Sequence, residues 1–429
     1  MKPIITRAAS FVLASVMSLS LTSCDLPYSS PILSASPIKL SGDLIRDIDK
    51  DNNPDSIAPD EEFTASQTAF ALHLLQQEAA QNSTSNLLIS PYSVMQALAM
   101  SAAGAEGETR NEMEQVLGGI PSDRLNAYLH HYRTNQPAGS GCQMLTANSV
   151  WYPAADSSVI IRKDYLSRIA SAFNADAYQR IFDQSVVNDI NKWVNAKTGG
   201  RIPDILQELN PMTRMFLVNA CVFDAKWKNK YKQDHIRDDV FHAADGTDQT
   251  VRMMNSNEKY ALTDTNAKGF IKPYQDGRYA FAAILPDEGV SVNSYIAELT
   301  PERLQSIFEN RKIAHVATDL PKFSGDYKTD LKESLAAMGM DQAFDYDKAD
   351  FSGMTENGKC GIFIASVLHR THIEIDEHGT KAAAVTAVRK DVSAADPIDL
   401  YISLNRPFLY CILDLQTNLP VFIGIRQSI

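Results

Sequence analysis

The nine histidines are the side chains best suited to metal binding or proton transfer, and their spacing argues against both. His369 and His372 are three residues apart in VLHRTHIEID, a segment with the pattern of a β-strand. Residues at that separation in a strand point to opposite faces, so these two imidazoles cannot hold one metal ion. His130 and His131 are adjacent but have no third ligand in view. We interpret the histidines as structural and expect no metal site and no cofactor.

Motifs for nucleophilic or phosphate chemistry are also missing. The sequence has no GxSxG elbow, no HExxH, no P-loop and no GxGxxG after a predicted strand. Four cysteines lie beyond the N-terminal region without CxxC or zinc-site spacing: Cys142, Cys221, Cys360 and Cys411. Two of them lie in apolar runs, which favours buried free thiols, although one disulfide of open pairing is an alternative. An enzyme is therefore disfavoured.

The composition fits a large exported domain. The 429 residues are 44% hydrophobic and 21% charged, which is enough to bury a sizeable core. The formal net charge of −12 argues against nucleic acid as a partner, because phosphate binding needs a basic face.

The N-terminal residues have the layout of an export signal. Lys2 and Arg7 precede an apolar run that is too short to span a bilayer comfortably. The run ends in Leu-Thr-Ser-Cys, which resembles the bacterial lipobox, and this predicts a signal peptide over residues 1–23 and lipidation of Cys24. A plain signal peptide with a chance cysteine is the alternative.

Residues 24–60 are predicted to be a tether. Prolines recur among Ser, Asp and Asn, a composition typical of an extended and poorly packed segment. The tether would hold a domain over residues 61–429 away from a bacterial envelope membrane, in the periplasm or at the cell surface. Contact with the membrane is expected through the lipid anchor alone.

Helical patterns cluster early in the domain and strand patterns late. The sequence predicts helices over residues 63–80, from Ser90-Pro91 onward, and over 108–117 and 187–198. It predicts strands in MFLVNACVF, YAFAAIL, HVATDLPKF, VLHRTHIEID and FLYCILD. This order indicates an α+β fold, and the long apolar strands need helices to cover them, which favours one domain over two.

EHGTKAAAVTAVRKDVS, residues 377–393, fits neither a core strand nor an ordinary loop. If the segment became a strand, alternate residues would face opposite sides. One set is small or medium-sized and uncharged: Thr380, Ala382, Ala384, Thr386 and Val388. The other set carries both charges: Lys381, Ala383, Val385, Ala387 and Arg389. We expect the first set to face covering helices and the second to face solvent, because burying a lysine costs several kcal/mol.

Blocks in one consistent order resemble the serpin family. They are SNLLISPYSVMQALAMSAAGAEGETRNEMEQVLG (85–118), INKWVNAKTGGRIPDIL (190–206), LVNACVFDAKWKNKY (217–231), PKFSGDYKTDLKESLAAMGMDQAFD (321–345), VLHRTHIEIDEHGTKAAAVTAV (367–388) and LNRPFLYCILD (404–414). The resemblance implies three β-sheets, about nine helices and an exposed reactive-centre loop. It also implies suicide inhibition of serine or cysteine proteases, in which the cleaved loop inserts as a new strand in the central sheet.

The resemblance assigns roles to individual residues. The hinge of the loop comprises Glu377, Gly379, Thr380, Ala382, Ala383 and Ala384, with glycine supplying backbone freedom. Counting from the hinge glutamate places the reactive bond at Ser393–Ala394, and a slip of one residue either way stays open. A polar cluster beneath the central sheet matches Ser90, Ser93, Asn219 and His369, and Trp227 matches the tryptophan where the loop enters.

Small residues at the reactive bond favour an elastase- or subtilisin-like target. Cleavage at Arg389-Lys390 by a trypsin-like protease would leave a shorter inserted strand and favour escape of the protease. One alternative is a non-inhibitory serpin that acts as a binding module. A serine hydrolase is a second alternative, and it is less favoured because the sequence lacks nucleophile motifs. We expect a monomer, with loop-to-sheet polymerisation as its liability.

Overall fold

The computed structural model describes residues 38–49, 54–137, 141–154, 159–209, 213–358, 361–380 and 397–429. The helices in these ranges are α1 (Glu61–Gln81), α2 (Pro91–Ala102), α3 (Gly107–Val116), α4 (Ser122–Thr134), α5 (Lys163–Phe173), α6 (Gln184–Lys197), α7 (Val292–Glu298), α8 (Pro301–Glu309) and α9 (Lys332–Ala337). Short 3₁₀ turns occur at Gln233–His235, Gln342–Phe344 and Ser352–Met354.

The strands in the described ranges are β1 (Leu87–Ile89), β2 (Cys142–Pro153), β3 (Asp176–Arg180), β4 (Phe216–Lys226), β5 (Ile236–His242), β6 (Asp248–Thr263), β7 (Ala267–Pro273), β8 (Tyr279–Pro286), β9 (Lys312–Pro321), β10 (Phe323–Asp330), β11 (Ser366–Ile375), β12 (Gly379–Thr380), β13 (Leu400–Ser403), β14 (Phe408–Asp414) and β15 (Leu419–Arg426). Helices dominate the first half and strands the second, so the α+β prediction is confirmed.

Local chemistry explains the helix ends that the sequence predicts. Asp60 caps α1 by accepting a hydrogen bond from the backbone N–H of Phe63 at 2.9 Å. Ser90 caps α2 in the same way, and Pro91 occupies the first turn, where its missing N–H has no partner to lose. α6 ends at Gly199-Gly200, both with positive φ.

Two hydrogen-bonded sheets organise the strands. The central sheet has the order β10-β11-β12-β4-β2-β3. The second sheet has the order β1-β15-β14-β8-β7-β6-β9-β13, with β5 on β6. A register shift between Glu258 and Tyr260 divides β6 into a part that pairs with β5 and a part that pairs with β7. The three expected sheets thus correspond to the central sheet and two strand groups that remain joined through β6 and β9.

Apolar clusters cover both faces of the central sheet. Residues of β4 alternate: Leu217, Cys221 and Phe223 join the main core, which also contains α2 and the second sheet. Phe216, Val218, Ala220 and Val222 form a separate cluster with α6 and the chain that follows it. The outer face of β4 is therefore covered by α6, whereas the sequence led us to expect solvent on that side of an inserted strand.

The described part of the predicted tether contacts the domain. The N–H of Leu44 donates to the carbonyl of Ala177 on β3, and the N–H of Gln179 donates to Gly42, both within 2.9 Å. Ile57 donates to Ala127 of α4 in the same manner. This differs from the poorly packed tether expected here, because backbone groups of residues 38–49 pair with the edge strand β3 and Ile57 donates to α4. Residues 24–37, including Cys24, lie outside the described residues.

Cys142, Cys221 and Cys411 are buried free thiols, and Cys360 lies outside the described residues. Among the helices that the structure describes, none is long and apolar enough to cross a membrane.

Candidate functional site at the opening of the central sheet

The central sheet has a seam between β4 and β11. These strands pair in parallel from Ser366↔Phe216 to His372↔Val222, and beyond that point they separate. β12 enters the resulting gap, where Thr380 pairs with Ile375 on one side and with Ala225 on the other. Gly379 and Thr380 of the predicted hinge therefore already lie between β4 and β11, the two strands that must separate for insertion.

Thr380 faces the interior of the protein. The side chain of Thr380 is fully buried, and its hydroxyl lies 2.5 Å from the hydroxyl of Tyr274. The neighbouring Gly379 lies so close to β4 that a Cβ atom on it would be 2.0 Å from the carbonyl oxygen of Ala225. A side chain at position 379 therefore cannot be accommodated without moving the hinge away from β4.

Trp227 holds the turn that leads into the hinge. Its indole N–H donates to the carbonyl of Asp376 at 2.8 Å, and its backbone N–H donates to His378 at 2.9 Å. The indole ring stacks on Tyr274 with a centroid distance of 4.6 Å. Asp376 accepts hydrogen bonds from the N–H groups of His378 and Gly379, which closes a tight turn. The tryptophan thus lies where the hinge enters the sheet.

An ion pair fixes Glu377 beside this turn. Its carboxylate lies 2.5 Å from the ammonium of Lys322 and accepts a hydrogen bond from Gln233 at 2.9 Å. Partial burial by itself raises the pKa of Glu377, but these two partners outweigh it and bring the pKa down to about 2. Glu377 is therefore ionised at neutral pH and ties the hinge to the loop between β9 and β10.

The polar cluster beneath the seam consists of fully buried side chains: Ser90, Ser93, Asn219 and His369. The backbone N–H of Ser90 donates to His369 Nε2 at 3.1 Å, and His369 Nδ1 lies 2.6 Å from Asn219 Oδ1. Because the first donor is a backbone amide, Nε2 must be the acceptor and Nδ1 must carry the proton. The neutral imidazole thus satisfies both neighbours, and burial lowers its pKa to about 3.

The amide nitrogen of Asn219 extends the cluster across the sheet. It donates to the carbonyl and hydroxyl of Ser93 at 2.8 and 2.6 Å, and to Asn148 Oδ1 at 2.8 Å. Asn148 donates in turn to Gln96 on α2 at 3.0 Å. Since His369 lies on β11 and Asn219 on β4, their hydrogen bond crosses the seam and must break if the strands part.

The structure brings most of the described predicted residues into two connected places. Glu377, Gly379, Thr380 and Trp227 meet at the upper end of the seam, and the four cluster residues meet beneath it. Sequence reasoning missed Lys322, Tyr274, Asn148 and Gln96, whose positions carry no local signal of a site. Six predicted site residues lie outside the described residues: Cys24, Ala382, Ala383, Ala384, Ser393 and Ala394. Within the described ranges no group of three or more His, Cys, Asp or Glu is placed to hold a metal ion.

Comparisons with known proteins agree on one family. The serpin (serine protease inhibitor) family model matches residues 65–427. An uncharacterised serpin-like protein from Thermococcus kodakarensis is 30% identical over 83% of both chains. The leukocyte elastase inhibitor of Xenopus tropicalis is 29% identical over 86% of this chain and 100% of its own.

A solved structure of the same family matches this chain at higher sequence identity than these two relatives do. The native state of a thermophilic serpin, tengpin, superposes with a TM-score of 0.85 at 40% identity, covering 90% of this chain and 99% of that chain. With the family model, these relatives and the opened central sheet in agreement, the chain belongs to the serpin family of serine protease inhibitors.

Proposed function

We propose that this protein is a suicide-type inhibitor of serine endopeptidases, and of cysteine endopeptidases by the same route. The protease cleaves the loop after β12, and the released segment inserts between β4 and β11 before the acyl-enzyme is hydrolysed. The observation that carries the proposal is β12 itself, which already pairs with both strands of the seam. Insertion would continue a pairing that has begun.

The register of β12 supports this proposal. Thr380 pairs with Ala225 and Ile375, and both partner strands run antiparallel to β12. Continued along both strands, that register would place Thr386 between Asn219 and His369. A threonine hydroxyl there could replace the hydrogen bond that opening breaks. Small residues at the other inward positions would face the core between β4 and β11 without a desolvated charge.

The outward positions also fit. Continuing the same register would place Lys381 between Asp224 of β4 and Glu374 of β11, two acidic side chains on the outer face. The next outward residues, Ala383, Val385 and Ala387, would meet the apolar layer under α6. A lysine is therefore acceptable at the first outward position, and the small residues Ala383, Val385 and Ala387 suit the three outward positions that follow.

We place the reactive bond at Ser393–Ala394, which favours a protease with a small apolar specificity pocket, of elastase or subtilisin type. The relative named a leukocyte elastase inhibitor supports this class of target. We further propose an exported, monomeric protein with a signal peptide over residues 1–23, a lipid on Cys24 and a serpin domain over 61–429. The lipid would anchor it to the bacterial envelope membrane.

The test mixes residues 38–429 with elastase, subtilisin, trypsin and a papain-like protease, and analyses the products on an SDS gel. We expect an SDS-resistant band at the summed mass with elastase or subtilisin, and a released peptide whose mass places the cut at Ser393–Ala394. Loop cleavage without such a band for every protease, and without a rise in thermal stability of the cleaved protein, would favour the non-inhibitory binding module instead.

A matched pair of variants tests the role of the hinge. Thr380→Arg would place a charge in the fully buried position, so we expect loop cleavage to continue while the SDS-resistant complex is lost. Lys381→Arg keeps the charge on the adjacent outward position and should form the complex normally. Equal complex formation by both variants would contradict insertion in the register of β12.

A further inference from the structure

A segment outside the hinge spans the same seam on the outer face of the central sheet. Residues 198–209, which follow α6, form this covering segment. Ile202, Ile205 and Leu206 of the segment are buried in the outer apolar cluster, which includes Val218 of β4 and Leu368 of β11. The covering segment therefore lies over both strands that must separate.

The covering segment is firmly attached on the β4 side. Asn191 of α6 accepts hydrogen bonds from the N–H groups of Ile205 and Leu206 at 2.8 and 3.0 Å, and donates to the carbonyl of Leu206 at 2.7 Å. Arg201 lies 3.9 Å from Asp224 of β4. These contacts make α6, the covering segment and β4 one packed unit.

On the β11 side, besides the apolar contact through Leu368, the polar attachment that the described residues show joins Arg370 to Asp204, with two accessory charges. Arg370 Nη1 donates to Asp204 Oδ1 at 2.8 Å and also to the backbone carbonyl of Asp204. Lys328 of β10 lies 4.0 Å from Asp204, and Asp326 lies 3.8 Å from Arg370. The Arg370 side chain is 15% exposed, so its contact with Asp204 is partly shielded from solvent.

The Asp204–Arg370 contact cannot be kept when a strand inserts between β4 and β11. Arg370 pairs directly with Ala220 across the seam. A new strand between β4 and β11 would separate them by one more strand spacing, about 4.8 Å. A hydrogen bond of 2.8 Å cannot survive that displacement while the covering segment stays on β4. Either the Asp204–Arg370 contact breaks, or the buried apolar residues and the Asn191 hydrogen bonds do.

We propose that Asp204 and Arg370 form a clasp across the seam that must open before a strand can enter, and that this clasp sets the rate of loop insertion. The inference rests on the proposed function, since it concerns the insertion step of that mechanism. Arg370 and Asp204 act here as positioning residues: they touch neither the protease nor the reactive bond. The clasp holds β11 against β4 until cleavage frees the loop.

The experiment compares Asp204→Asn with Asp189→Asn in residues 38–429. Asp189 of α6 pairs with Arg180 of β3 at 2.6 Å, in a partly buried ion pair on the side of α6 away from the seam. The loop is nicked with excess protease, and insertion is followed by the change in tryptophan fluorescence. We expect Asp204→Asn to insert about five- to tenfold faster than the unsubstituted protein, the effect of losing one partly exposed charge-assisted hydrogen bond. Asp189→Asn should insert at the unchanged rate.

A double-mutant cycle with Arg370→Met separates the clasp from general loosening. If the two residues act together, the double variant should insert no faster than either single variant. The melting temperature of the fully inserted, cleaved form should be the same in all four proteins, because the contact is absent there. Multiplicative rates in the cycle, or an Asp204→Asn rate equal to that of Asp189→Asn, would overturn the clasp.

The two proposals fail in different ways. Nicked, unsubstituted protein that gains no thermal stability does not insert its loop, and this result would overturn both the proposed function and the clasp. Insertion by the unsubstituted protein with equal rates in every variant would overturn the clasp alone.

Discussion

Lowering the pH should destabilise the protein through His369. The imidazole is fully buried, accepts from a backbone N–H at Nε2, and has its pKa lowered by burial from 6.5 to about 3. The unfolded chain therefore binds a proton at a higher pH than the folded protein does. The stability contributed by the neutral imidazole is complete above pH 6.5 and is lost as the pH falls through 6.5 towards 3.

The size of the effect follows from the two pKa values. One pKa unit corresponds to about 1.4 kcal/mol, so at pH 5 the unfolded state gains about 2 kcal/mol relative to the folded state from this residue alone. Below pH 3 the same residue accounts for about 5 kcal/mol, which is a large part of the stability of an ordinary domain. The protonated imidazole would also lose the hydrogen bond at Nε2, which joins β11 to the start of α2.

The assay is urea unfolding at pH 7.5, 6.0 and 5.0, where Glu377, with its pKa of about 2, does not yet titrate. We compare the protein with His369→Gln, which cannot titrate but keeps a donor and an acceptor. The matched control is His372→Gln, on the opposite face of the same strand. The unsubstituted protein and the control should lose about 2 kcal/mol more between pH 7.5 and 5.0 than His369→Gln does. Identical pH dependence in all three would refute the assignment of a neutral, buried His369.

Two further changes test the hinge. Gly379→Ala would bring a Cβ atom within 2.0 Å of the Ala225 carbonyl oxygen, so we expect release of β12 from the seam and faster cleavage of the loop by a non-target protease, measured by limited proteolysis. Lys322→Met would leave the mostly buried Glu377 carboxylate without its cation, so its pKa should rise and loop cleavage near pH 4 should become faster than in the unsubstituted protein. In the unsubstituted protein the ion pair is fully present above pH 4.5 and is lost only as the pH falls towards 2, so equal pH profiles would count against a role for the pair.

Some features of the fold depend on short stretches of sequence and were predictable from them. The apolar run that contains Asn219 and Cys221 forms a strand buried on both faces, as its composition indicates. Ser90-Pro91 begins a helix because the serine caps it and the proline loses nothing there. Helices α4, α5, α7, α8 and α9 were not predicted from the sequence, although the apolar residues of α5 recur on one face of the helix.

The candidate site likewise has features that the sequence predicts and features that it does not. The identity of the hinge and its alternation of small residues are properties of consecutive residues, so they could be inferred from the chain alone. The partners of the hinge could not be inferred, because Lys322 and Tyr274 are distant in sequence and reach it only through the packing of two sheets. For the same reason the pairing of Arg370 with Asp204 could not be predicted from the sequence.

By itself the sequence determined several of the strands and helices and the segment that is small enough to enter a sheet, because strand periodicity, helix caps and side chain volume are local properties. Only the tertiary structure decided that β4 and β11 part above His372 and that the hinge has begun to enter between them. It alone showed the covering segment over the outer face of the seam and residues 38–49 against the edge of the central sheet. These features depend on how whole sheets and helices pack against each other. That packing is set by burial and hydrogen bonds between residues far apart in the chain.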